Sequence, residues 1–182
     1  MPSLTIHVAG VILIALACGV SPAHAGSHLS ESEVREIITS QYRHVRAVDT
    51  RIGGAIADGL RRSTTFAELV LALDRSDVIV YVETARGMSS SLAGRMLIAP
   101  GPAGYRYLRI QVGAASRGNE LIALVGHELQ HALEVAESPG VRDEPSLIAL
   151  YEAIGHGGQG RHRYDTMAAQ NAGRKVRLEL IG

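Results

Sequence analysis

Cysteine is nearly missing from this 182-residue sequence: Cys18 stands alone, beside no tryptophan and a single phenylalanine. One cysteine excludes an internal disulfide, and its place near the N-terminus removes thiolate from any metal site further along the chain. With six Tyr and one Phe as the only aromatic residues, the core must be built mainly from Leu, Ile, Val and Ala. Excess charge of either sign is also missing, with 18 basic and 18 acidic residues. Nucleic-acid binders and proteins of anionic membrane surfaces carry basic excess, so the balance points to neither. There is no P-loop and no G-x-S-x-G. Gly155-His156-Gly157-Gly158-Gln159-Gly160 spells G-x-G-x-x-G but follows a helical pattern instead of a strand, which argues against a dinucleotide site.

Charge is absent altogether before Glu31. Within that tract Val8 to Val20 form an apolar run of 13 residues, well short of the roughly 20 needed to cross a bilayer. The run suits the apolar region of a signal peptide, and Ala23-His24-Ala25 suits the small-x-small cleavage rule. The segment before the run departs from that pattern, since it has no Lys or Arg, only His7 and the terminal amine. Residues 1–25 are therefore expected to be a signal peptide and residues 26–182 a single domain with no membrane segment, exported to the periplasm or secreted. Ala15-Leu16-Ala17-Cys18 is a poor lipobox, so a lipid on Cys18 is not expected.

Periodicity then organises the chain. Ser30-Glu31-Ser32-Glu33 is a capping box, followed by Val34, Ile37, Ile38, Tyr42 and Val45 at helical spacing. A second helix is expected from Thr50 to Arg62, and a third from the box Thr65-Phe66-Ala67-Glu68. Arg51, Arg61 and Arg62 read as a solvated face. Asp77–Glu83 is a β-branched run; Arg95–Ala99 and Tyr105–Val112 are two more strands, joined as a hairpin by Pro100-Gly101-Pro102-Ala103-Gly104. Helices follow at about Ser116 to Ala136, Ser146 to Ile154 and Tyr164 to Leu180. The expected class is α+β: a small antiparallel sheet of about three strands between N-terminal and C-terminal helices.

The long helix at 116–136 contains His127-Glu128-Leu129-Gln130-His131, an H-E-x-x-H signature. Two histidines four apart share one helix face, about one turn from each other, so both imidazoles can reach one Zn²⁺ at about 2.0–2.1 Å. Glu128 lies about 100° round the helix, placed to act as general base on a metal-activated water without being a ligand. An incidental pair of exposed histidines is the plainer reading. The Leu124 and Val135 that share their face argue against it.

A catalytic zinc needs three protein ligands and an open position. Downstream, Glu144, Glu152, Asp165, His156 and His162 have suitable side chains. Glu152 is separated from His131 by 20 intervening residues, yet points about 150° away from the centre of the apolar face of its short helix. Asp165 lies on a stripe with Ala168, Ala169, Ala172 and Val176 that would let its helix pack closely on another. The preferred metal set is His127, His131 and Asp165, with Glu152 as the alternative and a simple helix cap as the non-functional role for Asp165. Tyr151, His156, His162 and Tyr164 are chemically able to stabilise a transition state, but each is more ordinary as a core or surface residue.

Strands leading into an H-E-x-x-H helix, with helices after it, resemble the zincin metallopeptidases. The chain also resembles a group of small exported bacterial proteins with an H-E-L-Q-H-A-L-E motif. That likeness extends to Ser76–Glu83 and to Tyr164-Asp165-Thr166. The resemblance implies Zn²⁺ on His127 and His131, Glu128 as catalytic base, and a peptide or protein substrate. It also implies that the edge strand before the motif helix aligns the substrate, a part that falls to Tyr105–Val112. Neither the metzincin extension nor an N-E-x-x-S-D segment is present, so the resemblance leaves the third ligand open. A catalytically inactive zincin-like binding protein of the envelope and a zinc hydrolase of non-peptide substrates are the competing expectations. Protein recovered from an envelope or culture fraction should begin at or near Gly26. N-terminal sequencing checks this, and an intact Met1 or a lipid on Cys18 contradicts it.

Overall fold

The computed structural model describes residues 44–88, 93–155 and 164–182. The signal segment, Cys18, the Ser30 capping box with its helix, Ser89-Ser90-Ser91, His156 and His162 lie outside the described residues. Val45, expected to continue that helix, instead opens strand β1 (Val45–Ala47). β1 leads directly into α1 (Thr50–Arg62) and α2 (Thr64–Asp74). Strands β2 (Val78–Ala85), β3 (Gly94–Ala99) and β4 (Arg106–Gly113) follow, then α3 (Gly118–Ala136), α4 (Glu144–Ile154) and α5 (Met167–Ile181). Among the described residues this is an α+β fold with five helices and one four-stranded sheet.

The sheet corrects the expectation of a purely antiparallel one. Its order is β1-β2-β4-β3, with β1 and β4 both parallel to β2 and only β3 antiparallel to β4. Arg106 pairs with Val78 and Gly113 with Ala85, so β4 lies alongside β2 over its whole length. That pairing joins Val78, Val80 and Val82 to Leu108, Ile110 and Val112, all buried, in one apolar face under the helices. Ile79 is buried as well, which gives β2 the unbroken apolar start typical of an interior parallel strand. The expected edge strand is also corrected. Tyr105–Val112 corresponds to an interior strand, and the edge beside the motif helix is β3.

Side-chain caps fix where the helices begin. Asp49 Oδ1 accepts from Ile52 N at 3.0 Å, while its Oδ2 accepts from Thr84 N at 2.8 Å. One carboxylate thus ties the start of α1 to β2. Ser63, not Thr65, caps α2, accepting from Phe66 N at 3.0 Å. Asp143 caps α4, with Ser146 as the reciprocal member of the box. Thr166 caps α5. Arg51 and Arg62 are not merely solvated: Arg51 donates to Thr84 Oγ1 at 2.9 Å and Arg62 to the Leu180 carbonyl at 2.7 Å. No helix among the described residues is long and apolar enough to cross a membrane.

An inward-facing cation holds α3 to the sheet. Arg106 occupies a core-facing position of β4, with only 6% of its side chain exposed. Its guanidinium donates to Asp77 Oδ2 at 2.9 Å and Oδ1 at 2.6 Å. It also donates to the carbonyls of Val135 (2.7 Å), Ala136 (3.1 Å), Ser138 (2.9 Å) and Val141 (3.2 Å). Those carbonyls include the ones left without partners where α3 ends, and a cation there also complements the helix dipole. The Arg106 hydrogen bonds hold the Asp77 carboxyl below the usual aspartate range. Its contribution to stability is therefore complete above that range and is lost only as pH falls through its lowered pKa. Arg106→Ala should cost about 3–5 kcal/mol in urea unfolding. Asp77→Asn should cost less, since Asp77 is 44% exposed. Equal stability of Arg106→Ala and the parent chain would contradict this anchoring role.

Candidate metal centre

The motif helix divides its surface between core and cleft. Leu121, Ile122, Val125, Leu129, Ala132 and Val135 are buried in the core. His127, Glu128 and His131 line a cleft of about 1170 Å³ on another side. The wall facing them is β3, from Gly94 to Ile98. α4 supplies Leu147, Ile148 and Tyr151, and α5 supplies Gly173, Arg174 and Arg177. The two imidazoles sit edge to face, 4.9 Å apart at 80°.

Asp165 joins them from the other end of the domain. It precedes the cap of α5, two residues before the helix whose first turn it was expected to occupy. Its Oδ1 lies 3.6 Å from His127 Nε2 and 3.8 Å from His131 Nε2. Its Oδ2 accepts from Gln170 Nε2 at 3.0 Å, which orients the carboxylate. One donor atom from each of the three residues lies within 4.8 Å of the others, so this group could hold a metal ion. Tetrahedral bonds of about 2.0–2.1 Å place donors roughly 3.4 Å apart, close to the two spacings from Asp165 to the histidines. Among the described residues no other cluster of this kind occurs. Glu152 is exposed on α4 and outside the group, while Glu144 borders the cleft without joining it.

Burial sets the charge states. Glu128 is buried, and desolvation pushes its carboxyl up to about 7. Burial and the neighbouring His131 lower the pKa of His127. Burial acts to lower that of His131 too, but its hydrogen bond to Glu134 and the surrounding charges of Glu128, Glu134 and Asp165 together outweigh the effect and the pKa rises. Two residues with roles here carry no signal in the motif. Gly94 is one: a Cβ there would fall inside contact distance of the Glu128 carboxylate, so β3 passes Glu128 this closely because it carries no side chain at 94. Glu134 is the other, with Oε2 2.9 Å from His131 Nδ1. Its position one turn beyond His131 could have suggested this.

Tyr151 and Tyr164 both border the cleft. The Tyr151 hydroxyl is buried and donates to the His131 carbonyl at 3.0 Å, and burial raises its pKa well above that of an ordinary phenol. That hydroxyl braces the motif helix. Comparison of the chain with protein-family models, with curated proteins and with solved structures gave no match. Zinc affinity, measured by chelator competition, should fall strongly in His127→Ala, His131→Ala and Asp165→Ala and stay unchanged in Glu152→Ala. The reverse pattern for Asp165 and Glu152 would move the third ligand to α4.

Proposed function

We propose that this chain is an exported zinc-dependent metallopeptidase of zincin type. In this reading His127, His131 and Asp165 hold Zn²⁺ and Glu128 is the general base. The observation that carries it is the convergence of His127, His131 and Asp165 beside a buried Glu128, in a cleft bordered by a sheet edge. Two imidazoles and one carboxylate are a donor set suited to catalytic zinc, whereas calcium and magnesium favour all-oxygen sets. When bound, zinc lowers the pKa of a water to about 7 and polarises a carbonyl.

The residues of the chain account for the remaining steps. Glu128 accepts the proton of the attacking water and passes it to the departing amine, and a carboxyl held near neutrality suits both transfers. Among the described residues β3 is paired only on its β4 side, so its other edge can bind an extended peptide through main-chain hydrogen bonds. Gly94 keeps that strand close to the base. Leu147, Ile148 and the β3 side chains Met96 and Ile98 give the cleft apolar surface for substrate side chains.

Digestion of a peptide library by the protein should stop on chelation and resume with added zinc. Glu128→Gln should retain zinc and lose about 10²–10⁴-fold in rate, since an amide cannot accept the proton. Gly94→Ala should also retain zinc but lose rate through displacement of Glu128. Digestion indifferent to chelator, or full activity in Glu128→Gln, would overturn the proposal; absence of peptide cleavage alongside chelator-sensitive hydrolysis of another ester or amide would redirect it to a non-peptide substrate.

A further inference from the structure

Glu134 lies in the interior, 8% exposed, one turn beyond His131 on α3. A carboxylate at that depth is costly unless its oxygens are matched by donors. Both are. Oε2 faces His131 Nδ1 at 2.9 Å, and Oε1 accepts from the Thr166 hydroxyl at 2.6 Å. Thr166 is itself 3% exposed, and its oxygen accepts from Ala169 N at 3.0 Å as the cap of α5. With the lone pair used for the cap, the single hydroxyl proton is directed to Glu134.

Thr166 immediately follows Asp165. We propose that Glu134 is the positioning residue of the metal centre, fixing two of its three ligands at once: the His131 ring directly, and Asp165 through the Thr166 hydroxyl. This rests on the reading of His127, His131 and Asp165 as ligands. A histidine that binds metal through Nε2 must carry its proton on Nδ1, and an acceptor at Nδ1 selects that tautomer. Nε2 of His131 is the atom that faces Asp165. The same carboxylate holds the peptide unit that carries Asp165 in front of it. The α3–α5 contact thereby becomes part of the metal site, and its geometry is set before an ion enters.

A helix-to-helix tie with no bearing on metal is the competing role, and the opposite end of α5 offers a more exposed control of the same hydrogen-bonding type. There Glu179 accepts from Ser63 Oγ at 2.5 Å and Thr65 Oγ1 at 2.7 Å, the same chemistry far along the helix from Asp165. The experiment compares zinc affinity, the visible spectrum of the cobalt-substituted protein and urea stability across Glu134→Gln, Thr166→Val, Thr166→Ser and Glu179→Gln. Glu134→Gln and Thr166→Val should each weaken zinc binding about 10–100-fold and alter the cobalt spectrum. Thr166→Ser, which keeps the hydroxyl, should restore both. Glu179→Gln should lose stability and keep its zinc affinity.

In the metal-free protein, nitrogen NMR in mildly alkaline solution should place the His131 proton on Nδ1, and Glu134→Gln should mix the tautomers. Should Glu134→Gln fail to fold, the Thr166→Val and Thr166→Ser pair decides the matter. Parent-like zinc affinity in Glu134→Gln or Thr166→Val, or a loss no larger than that of Glu179→Gln, would overturn the proposal while leaving the ligand set intact. A parent protein that takes up no zinc would remove the ligand reading itself.

Discussion

Gly173 of α5 lies against His127 of α3. A Cβ at Gly173 would meet the His127 Cβ at 3.1 Å and the Ala123 carbonyl at 3.3 Å, closer than side chains normally pack. Gly126 meets Val176 in the same way from the opposite helix. Glycine inside a helix costs roughly 1 kcal/mol relative to alanine, and here it allows two helices to approach almost backbone to backbone. The remainder of the site depends on that approach. It carries the residues before α5 down to the histidines and brings Thr166 within reach of Glu134. At the other end it seats Glu179 on the junction between α1 and α2.

The sheet constrains α3 from the opposite side. Arg106 on β4 gathers the carbonyls at the end of the helix, while Gly94 on β3 makes room for Glu128 nearer its middle. The motif helix is therefore fixed along its length by one strand and in its distance from the sheet edge by the next. Both contacts depend on side-chain size: a long planar cation at 106 and no side chain at 94. The cleft can stay open next to a packed core because the helix is braced from below and behind, by sheet and α5.

Charge gives the arrangement its chemical direction. Glu128, Glu134 and Asp165 surround two imidazoles, with Glu128, Glu134 and His131 buried and His127 and Asp165 half-buried at the cleft. The hydroxyl of Thr166 and the amide of Gln170 satisfy individual oxygens, and the neutral form of Glu128 is favoured by burial. Two positive side chains that border the cleft are engaged by neutral or acidic partners: Arg177 with Glu120 at 2.8 and 2.7 Å, and Arg174 with Asn171 at 3.1 Å. A buried group of acids and imidazoles with aligned donors is a setting that a divalent cation stabilises.

The local sequence determined the parts whose physics is local. H-E-x-x-H within an apolar-flanked helix placed His127 and His131 on one face because the period of a helix is 3.6 residues. Alternation in 106–112 marked a strand with one buried face, and the turn at 100–104 marked the β3–β4 hairpin. The alanine stripe singled out Asp165 because small residues signal close helix packing, although the stripe did not show that Asp165 stands just outside the helix. Strand direction was not legible, since alternation is the same in a parallel and an antiparallel strand. Only the burial of β2 and β4 side by side decided that β3, and not β4, is the edge. Val45 could not be distinguished from the end of a helical stripe, because three residues are too few to show a period. Gly94 acquired its role from a contact across the fold, since a missing Cβ matters only when another chain segment occupies its space; Glu134 stands one helical turn from His131 in the sequence, but its second donor, the Thr166 hydroxyl, was brought to it only by tertiary packing.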